Sequence, residues 1–186
     1  MRLFHFSEDR SITRFTPRPV EVPAARAPGQ EWLNGPLVWA IDEAHQPLYL
    51  FPRDCPRLLV WPVELTTEQD RERWHALRKD EATRFLAFVE RAWSDRLRAA
   101  QLYRYELAAS GFESLADAGM WVARREVEPI AVERLDDLPA CLAAEQVELR
   151  TVYSFASLAD LLATSLHVSA IRMRNAAAAA DRALFS

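Results

Sequence analysis

Apolar residues along this chain follow three rhythms. Short unbroken runs come first: Arg2–Phe6 (RLFHF), Leu37–Ile41 (LVWAI) and Leu58–Trp61 (LLVW). Their lengths suit strands, and the last two, lacking any polar alternation, suit strands buried on both faces. Leu102–Leu107 (LYRYEL) alternates and reads as a half-exposed strand. Met120–Leu135 is strand-like, with Pro129 marking a sheet edge or a bulge, and Val147–Val152 reads as a later strand.

The second rhythm is helical. Trp74, Leu77, Phe85, Phe88, Val89 and Trp93 recur at helical steps, which predicts one long helix over 66–99 or two helices joined by a kink near Lys79 and Asp80. Thr66 followed by Gln69 has capping-box spacing at its start. Shorter helices are predicted over 137–145 and Ser157–Leu166, and the alanine-rich tail Asn175–Leu184 reads as helical. The third rhythm is irregular: residues 16–36 are broken by Pro17, Pro19, Pro23, Pro28, Gly29, Gly35 and Pro36, with Trp32 and Leu33 to dock the segment onto the body. No strand–helix alternation repeats. The pattern therefore predicts an α+β fold in which a mixed or mainly antiparallel sheet packs with the long helix and C-terminal helices, as one domain over 1–186.

Composition narrows the class. The chain has 186 residues, half of them apolar, enough for a core without metal or disulfides. Cys55 and Cys141 are too few for a disulfide scaffold. No apolar run nears the roughly 20 residues that cross a bilayer, and MRLFHFSEDR carries charge too early for a signal-peptide core. The expectation is a cytoplasmic protein with no membrane partner. A net charge of −4 runs against nucleic-acid binding. Lys79 is the sole lysine; the arginine surplus reads first as codon usage, and second as a supply of planar anion-binding forks.

Candidate chemistry gathers at four places. Asp42, Glu43 and His45 follow the second strand, and His5 lies on the first. If those strands are neighbours, both imidazoles and a carboxylate share a pocket, which is also the donor set of a divalent metal; their spacing matches no established metal motif, and no metal ligand set is assigned. The alternative makes Asp42, Glu43 and His45 a capped turn. Arg53-Asp54-Cys55-Pro56-Arg57 suggests a thiolate between arginines, yet its two prolines impose a stiff bend. A structural clip in which Asp54 pairs with an arginine, with Arg53 or Arg57 offered to an anion, is the preferred reading. Arg172 and Arg174, within IRMRN, form a second anion-binding candidate. Glu126 and Glu128 share one strand face beside Arg124 and Arg125, which would neutralise them.

The strings HFSED (5–9), VWAIDE (38–43), FPRDCPR (51–57) and IRMRN (171–175) resemble those of a small bacterial family of uncharacterised proteins, over nearly the whole chain. That likeness brings no activity or cofactor. A more distant likeness is to ADP-ribosyltransferase-like domains, in the order of His5, the 37–41 strand and Glu126/Glu128. It implies that His5 would bind the ribose of NAD and that a glutamate would polarise the scissile bond. Trp39 stands where that family has Ser-Thr or Tyr. Three readings stay open: a pocket for a nucleotide-like or other anionic ligand near His5 and 42–45, with His5, Asp42, His45, Glu126 and Glu128 as catalytic candidates and Arg53, Arg57, Arg172 and Arg174 as ligand-binding ones; a non-catalytic module that binds a partner or homodimerises; or a metal-dependent enzyme. No motif decides whether the protein is an enzyme.

Overall fold

The computed structural model describes residues 1–178 and 181–182. In chain order its elements are β1 (Leu3–Ser7), β2 (Val38–Asp42), β3 (Arg57–Trp61), α1 (Glu68–Leu77), β4 (Phe85–Glu90), α2 (Ser94–Ala99), β5 (Leu102–Leu107), β6 (Glu113–Ser114), β7 (Met120–Ala123), β8 (Pro129–Leu135), α3 (Leu138–Ala144), β9 (Val147–Val152), α4 (Ala159–Leu162) and β10 (His167–Ile171), with single 3-10 turns between several of them. The fold is α+β, but it has two sheets where one was expected. The chain divides into two compact units, Met1–Gln46 with Leu102–Leu135, and Pro47–Gln101 with Asp136–Ser186.

The first unit is built on a six-stranded sheet in the order β6-β7-β2-β1-β5-β8, antiparallel throughout. Side chains alternate across it. Val38 and Ala40 point into a cluster with Leu3, Phe15, Tyr105, Leu107, Phe112 and Ala123, while Trp39 packs with Leu33, Leu37 and Val122 on the other face. The 16–36 segment is irregular as expected. It is tied down where Arg18 bridges Leu37 and where the 3-10 turn Glu31–Asn34 buries Leu33. Pro129 opens β8, an edge strand whose register against β5 slips between Glu106 and Leu107, so both readings of that proline hold.

The second unit carries a four-stranded sheet, β10-β3-β4-β9, antiparallel except for the parallel β4–β9 pair. Here the structure corrects the long helix over 66–99. Only Glu68–Leu77 and Ser94–Ala99 are α-helical, and Phe85–Glu90 is a strand buried at every position. The helical stripe was real at 85, 88 and 89, but Leu86 and Ala87 between them are buried as well. A run without a polar side, six residues long, suits a strand flanked on both edges and covered on both faces. The cap of α1 also shifts by one residue. Thr67 accepts from the Asp70 N–H, while Thr66 Oγ1 accepts from Val63 N and donates to the Ser165 carbonyl. The helix expected over Ser157–Leu166 is shorter, a 3-10 turn at Phe155–Leu158 running into α4, and His167–Ile171 is a strand. The tail helix expected over Asn175–Leu184 falls partly outside the described residues; before them the chain makes a 3-10 turn at Met173–Asn175.

Candidate functional site

β1 and β2 are neighbours, with Leu3 opposite Asp42 and Phe4 opposite Ile41. Their antiparallel sense decides what happens to the polar residues. Going up β1 leads down β2, so His5 arrives near the start of β2, where its Nδ1 donates to the Trp39 carbonyl at 2.9 Å. Its ring stacks on Phe15 with centroids 4.6 Å apart. His45 belongs to the turn beyond the other end of β2. Asp42 Oδ1 accepts both the His45 backbone N–H, at 2.9 Å, and the His45 Nδ1–H, at 2.8 Å. The two imidazoles thus make separate hydrogen bonds, His5 to the Trp39 carbonyl and His45 to Asp42. Among the described residues no group of three His, Cys, Asp or Glu side chains could hold a metal.

The Asp42–His45 pair is a tight local device. Gly119, just before β7, closes it: its carbonyl accepts from Asp42 N at 2.9 Å. A Cβ on Gly119 would stand 2.4 Å from His45 Nδ1, so the close approach requires glycine. Glu43 turns outward to Arg2, which also holds Glu106.

Glu126 and Glu128 flank Val127, whose backbone bridges Phe15. Because neighbours on extended backbone point to opposite sides, Phe15 and Val127 face the core and His5 while the glutamates face solvent. Arg14 clamps both, at 3.2 Å and 2.7 Å, and Thr16 donates to Glu126. The neutralising arginine is Arg14, where Arg124 and Arg125 were expected.

In the second unit the sequence candidates do converge. β10 pairs with β3 so that Ile171 lies opposite Arg57, and Asn175 Nδ2 donates to the Asp54 carbonyl at 2.8 Å. The FPRDCPR and IRMRN segments therefore form one corner. Among the described residues Asp54 makes no ion pair; its backbone carbonyl is what the corner uses. Arg53 and Arg174 are exposed, whereas Arg172 is half-buried and holds a left-handed φ of 59°.

Arg57 is the centre of this corner. It is 2 % exposed. Its Nε–H donates to the Leu48 carbonyl at 2.8 Å and its Nη1 to the Cys55 carbonyl at 3.0 Å, and its guanidinium lies over the Tyr49 and Phe51 rings. Its other N–H groups, including both on Nη2, reach no protein acceptor and no carboxylate pairs with it among the described residues. Burial pushes its pKa down to about 10, with the nearby Arg172 charge acting in the same direction; the group stays a cation at neutral pH. The thiolate reading of Cys55 is corrected. Burial drives its thiol up to about 12 although Arg57 pulls the other way, so at neutral pH the sulfur is a thiol with little nucleophilic character.

Sequence reasoning missed two polar groups in the same unit. Glu90, at the end of β4 and 2 % exposed, accepts from Ala177 N through Oε1 at 2.8 Å, while its Oε2 is buried without a partner. Ser94 Oγ is likewise buried and unpartnered. The signal that could have found Glu90 was a carboxylate closing a five-residue apolar run.

A family model matches residues 4–176. The chain belongs to the DUF6886 family, a family of unknown function. No curated protein and no solved structure matches it. No helix among the described residues is long and apolar enough to cross a membrane.

Proposed function

We propose that this DUF6886 protein binds a small anionic ligand, a carboxylate or phosphate, through Arg57, with Arg172 as the second cationic group. The observation that carries the reading is a buried guanidinium whose fork is only partly used among the described residues: two backbone carbonyls take two of its donors and no described carboxylate balances its charge. An uncompensated buried ion costs several kcal/mol, and a fold needing only a clip at Leu48 and Cys55 could make one with a neutral donor. Arg172 adds a second cation and does so in a left-handed conformation, where glycine or asparagine is cheaper. Backbone strain of this kind gathers at ligand sites.

The reading is one of binding. The thiol in the corner is unactivated, and the His5 and His45 rings are each engaged in a hydrogen bond of their own, to the Trp39 carbonyl and to Asp42. An ADP-ribosyltransferase-like role draws less support still, because Glu126 and Glu128 are clamped by Arg14 on the side away from His5.

Isothermal titration with phosphate, acetate and a nucleoside monophosphate tests the proposal. Saturable binding by the wild type is expected, weakened at least tenfold in Arg172→Asn, which tolerates the left-handed backbone, and lost in Arg57→Met. Silence towards all three anions, or binding indifferent to both substitutions, would overturn it.

A further inference from the structure

We infer that β8 is a self-association edge, along which two copies of the chain pair antiparallel about a two-fold axis through Val132. At seven residues β8 is the longest strand among the described residues, and it closes one edge of the first unit's sheet. Its five central residues, Ile130–Arg134, are all exposed. Two are large and apolar: Ile130 is 65 % exposed and Val132 54 %. Edge strands are usually kept short or charged because their unpaired N–H and C=O groups template a further strand. The opposite edge of this sheet, β6, spans only two residues. One usable edge on this sheet makes pairing through it a closed two-fold contact.

The protective devices of β8 sit at one end. Pro129 cannot donate, and the register slip beside it makes Ile130 the extra residue against β5. Both leave Ala131–Leu135 regular. Within that stretch the charges choose the register. An axis through Glu133 would oppose Glu133 to its own copy, and like charges opposite each other are unfavourable. An axis through Ala131 would carry the bulged Ile130 into the centre of the ladder. An axis through Val132 sets Val132 against Val132, Ala131 against Glu133 and Ile130 against the aliphatic stem of Arg134 of the second copy. Glu133 keeps its own Arg104 in this arrangement. The occupant that fits is therefore a second copy of this chain.

Sedimentation and cross-linking test this together, on the full chain. The wild type is expected to sediment as a dimer, and Val132→Lys, a change at an exposed position, as a monomer with an unaltered unfolding midpoint. In a Cys141→Ser background, Val132→Cys should form an intermolecular disulfide under mild oxidation. Residues facing each other across the axis have Cα atoms about 4.5–5.5 Å apart, within disulfide range. Ala131→Cys should not cross-link, because its two copies would be about 8 Å apart. A monomeric wild type at all concentrations overturns the inference. So does a dimer that survives Val132→Lys, or cross-linking through residue 131 in preference to 132.

Discussion

Asp181 offers the sharpest test of how the second unit is held together. Its carboxylate is fully buried. Oδ1 accepts from Ser154 Oγ at 2.7 Å and from Ala156 N at 2.9 Å, and Oδ2 accepts from Phe155 N at 2.9 Å. It thereby caps the 3-10 turn at Phe155–Leu158 from across the chain. Burial alone would raise its pKa; the three donors outweigh burial and hold it below the usual carboxylate value. A depressed folded-state pKa means that the fold prefers the ionised form. The stabilisation is complete above the unfolded value and is lost as pH falls through the lower folded one. Asp181→Asn removes the charge and turns an amide N–H toward one of the three donors. One buried N–H or O–H left without an acceptor costs about 1–3 kcal/mol, and the surviving bonds weaken from charge-assisted to neutral strength. The expected loss is about 3 kcal/mol at neutral pH. Urea unfolding at neutral pH and at about pH 3 measures it. The gap between variant and wild type should narrow in acid, as the wild-type carboxylate takes up its proton. A gap below about 1 kcal/mol at neutral pH, where a single exposed contact would already account for it, refutes the reasoning, and so does a gap that ignores pH.

Other outcomes follow from the same geometry. Gly119→Ala should destabilise the protein by about 2–4 kcal/mol in urea melts, through left-handed strain and overpacking, because φ is 72° and the new carbon meets His45 and Asp42; a near-neutral result would mean that the Asp42–His45 turn gives way freely. A thiol reagent at neutral pH should label Cys141 well before Cys55, whose sulfur is buried with a pKa near 12; mass spectrometry showing comparable rates would contradict the burial argument. Each compact unit is made of two separated chain segments, so neither can close without the other's sequence being threaded, and residues 1–186 are expected to unfold in one transition. Two resolved transitions in calorimetry would show that the units fold independently.

The strands were legible wherever a short apolar run was bounded by turn residues, as at Leu3–Ser7, Val38–Asp42 and Leu102–Leu107. The failure at 85–90 has a physical cause. A fully buried strand and a buried helical segment share the same apolar letters, and Phe85, Phe88 and Val89 satisfy either period. The neighbourhood of β1 and β2 was foreseen, but a single sequence does not state the sense of a pairing, and in the antiparallel one His5 meets the Trp39 carbonyl while His45 lies in the turn after Asp42. Arg57 was legible as a candidate through its place between prolines and a strand. That it would be buried was not, because the Tyr49 and Phe51 rings over it and the Leu48 carbonyl become its neighbours only through the turn. Glu126 and Glu128 were rightly read as neutralised, yet by Arg14, more than a hundred residues away in the chain and joined only through the Phe15–Val127 bridge.

The Arg57 donors that no described residue accepts can be watched directly. In heteronuclear NMR of the arginine side chains, the slowly exchanging Nε–H of the buried Arg57 gives a resonance that reports on its own fork. Titration with phosphate is expected to move that resonance saturably while the exposed arginines drift weakly and linearly. An Arg57 signal that stays still while phosphate is raised to saturation of the surface arginines would contradict the account.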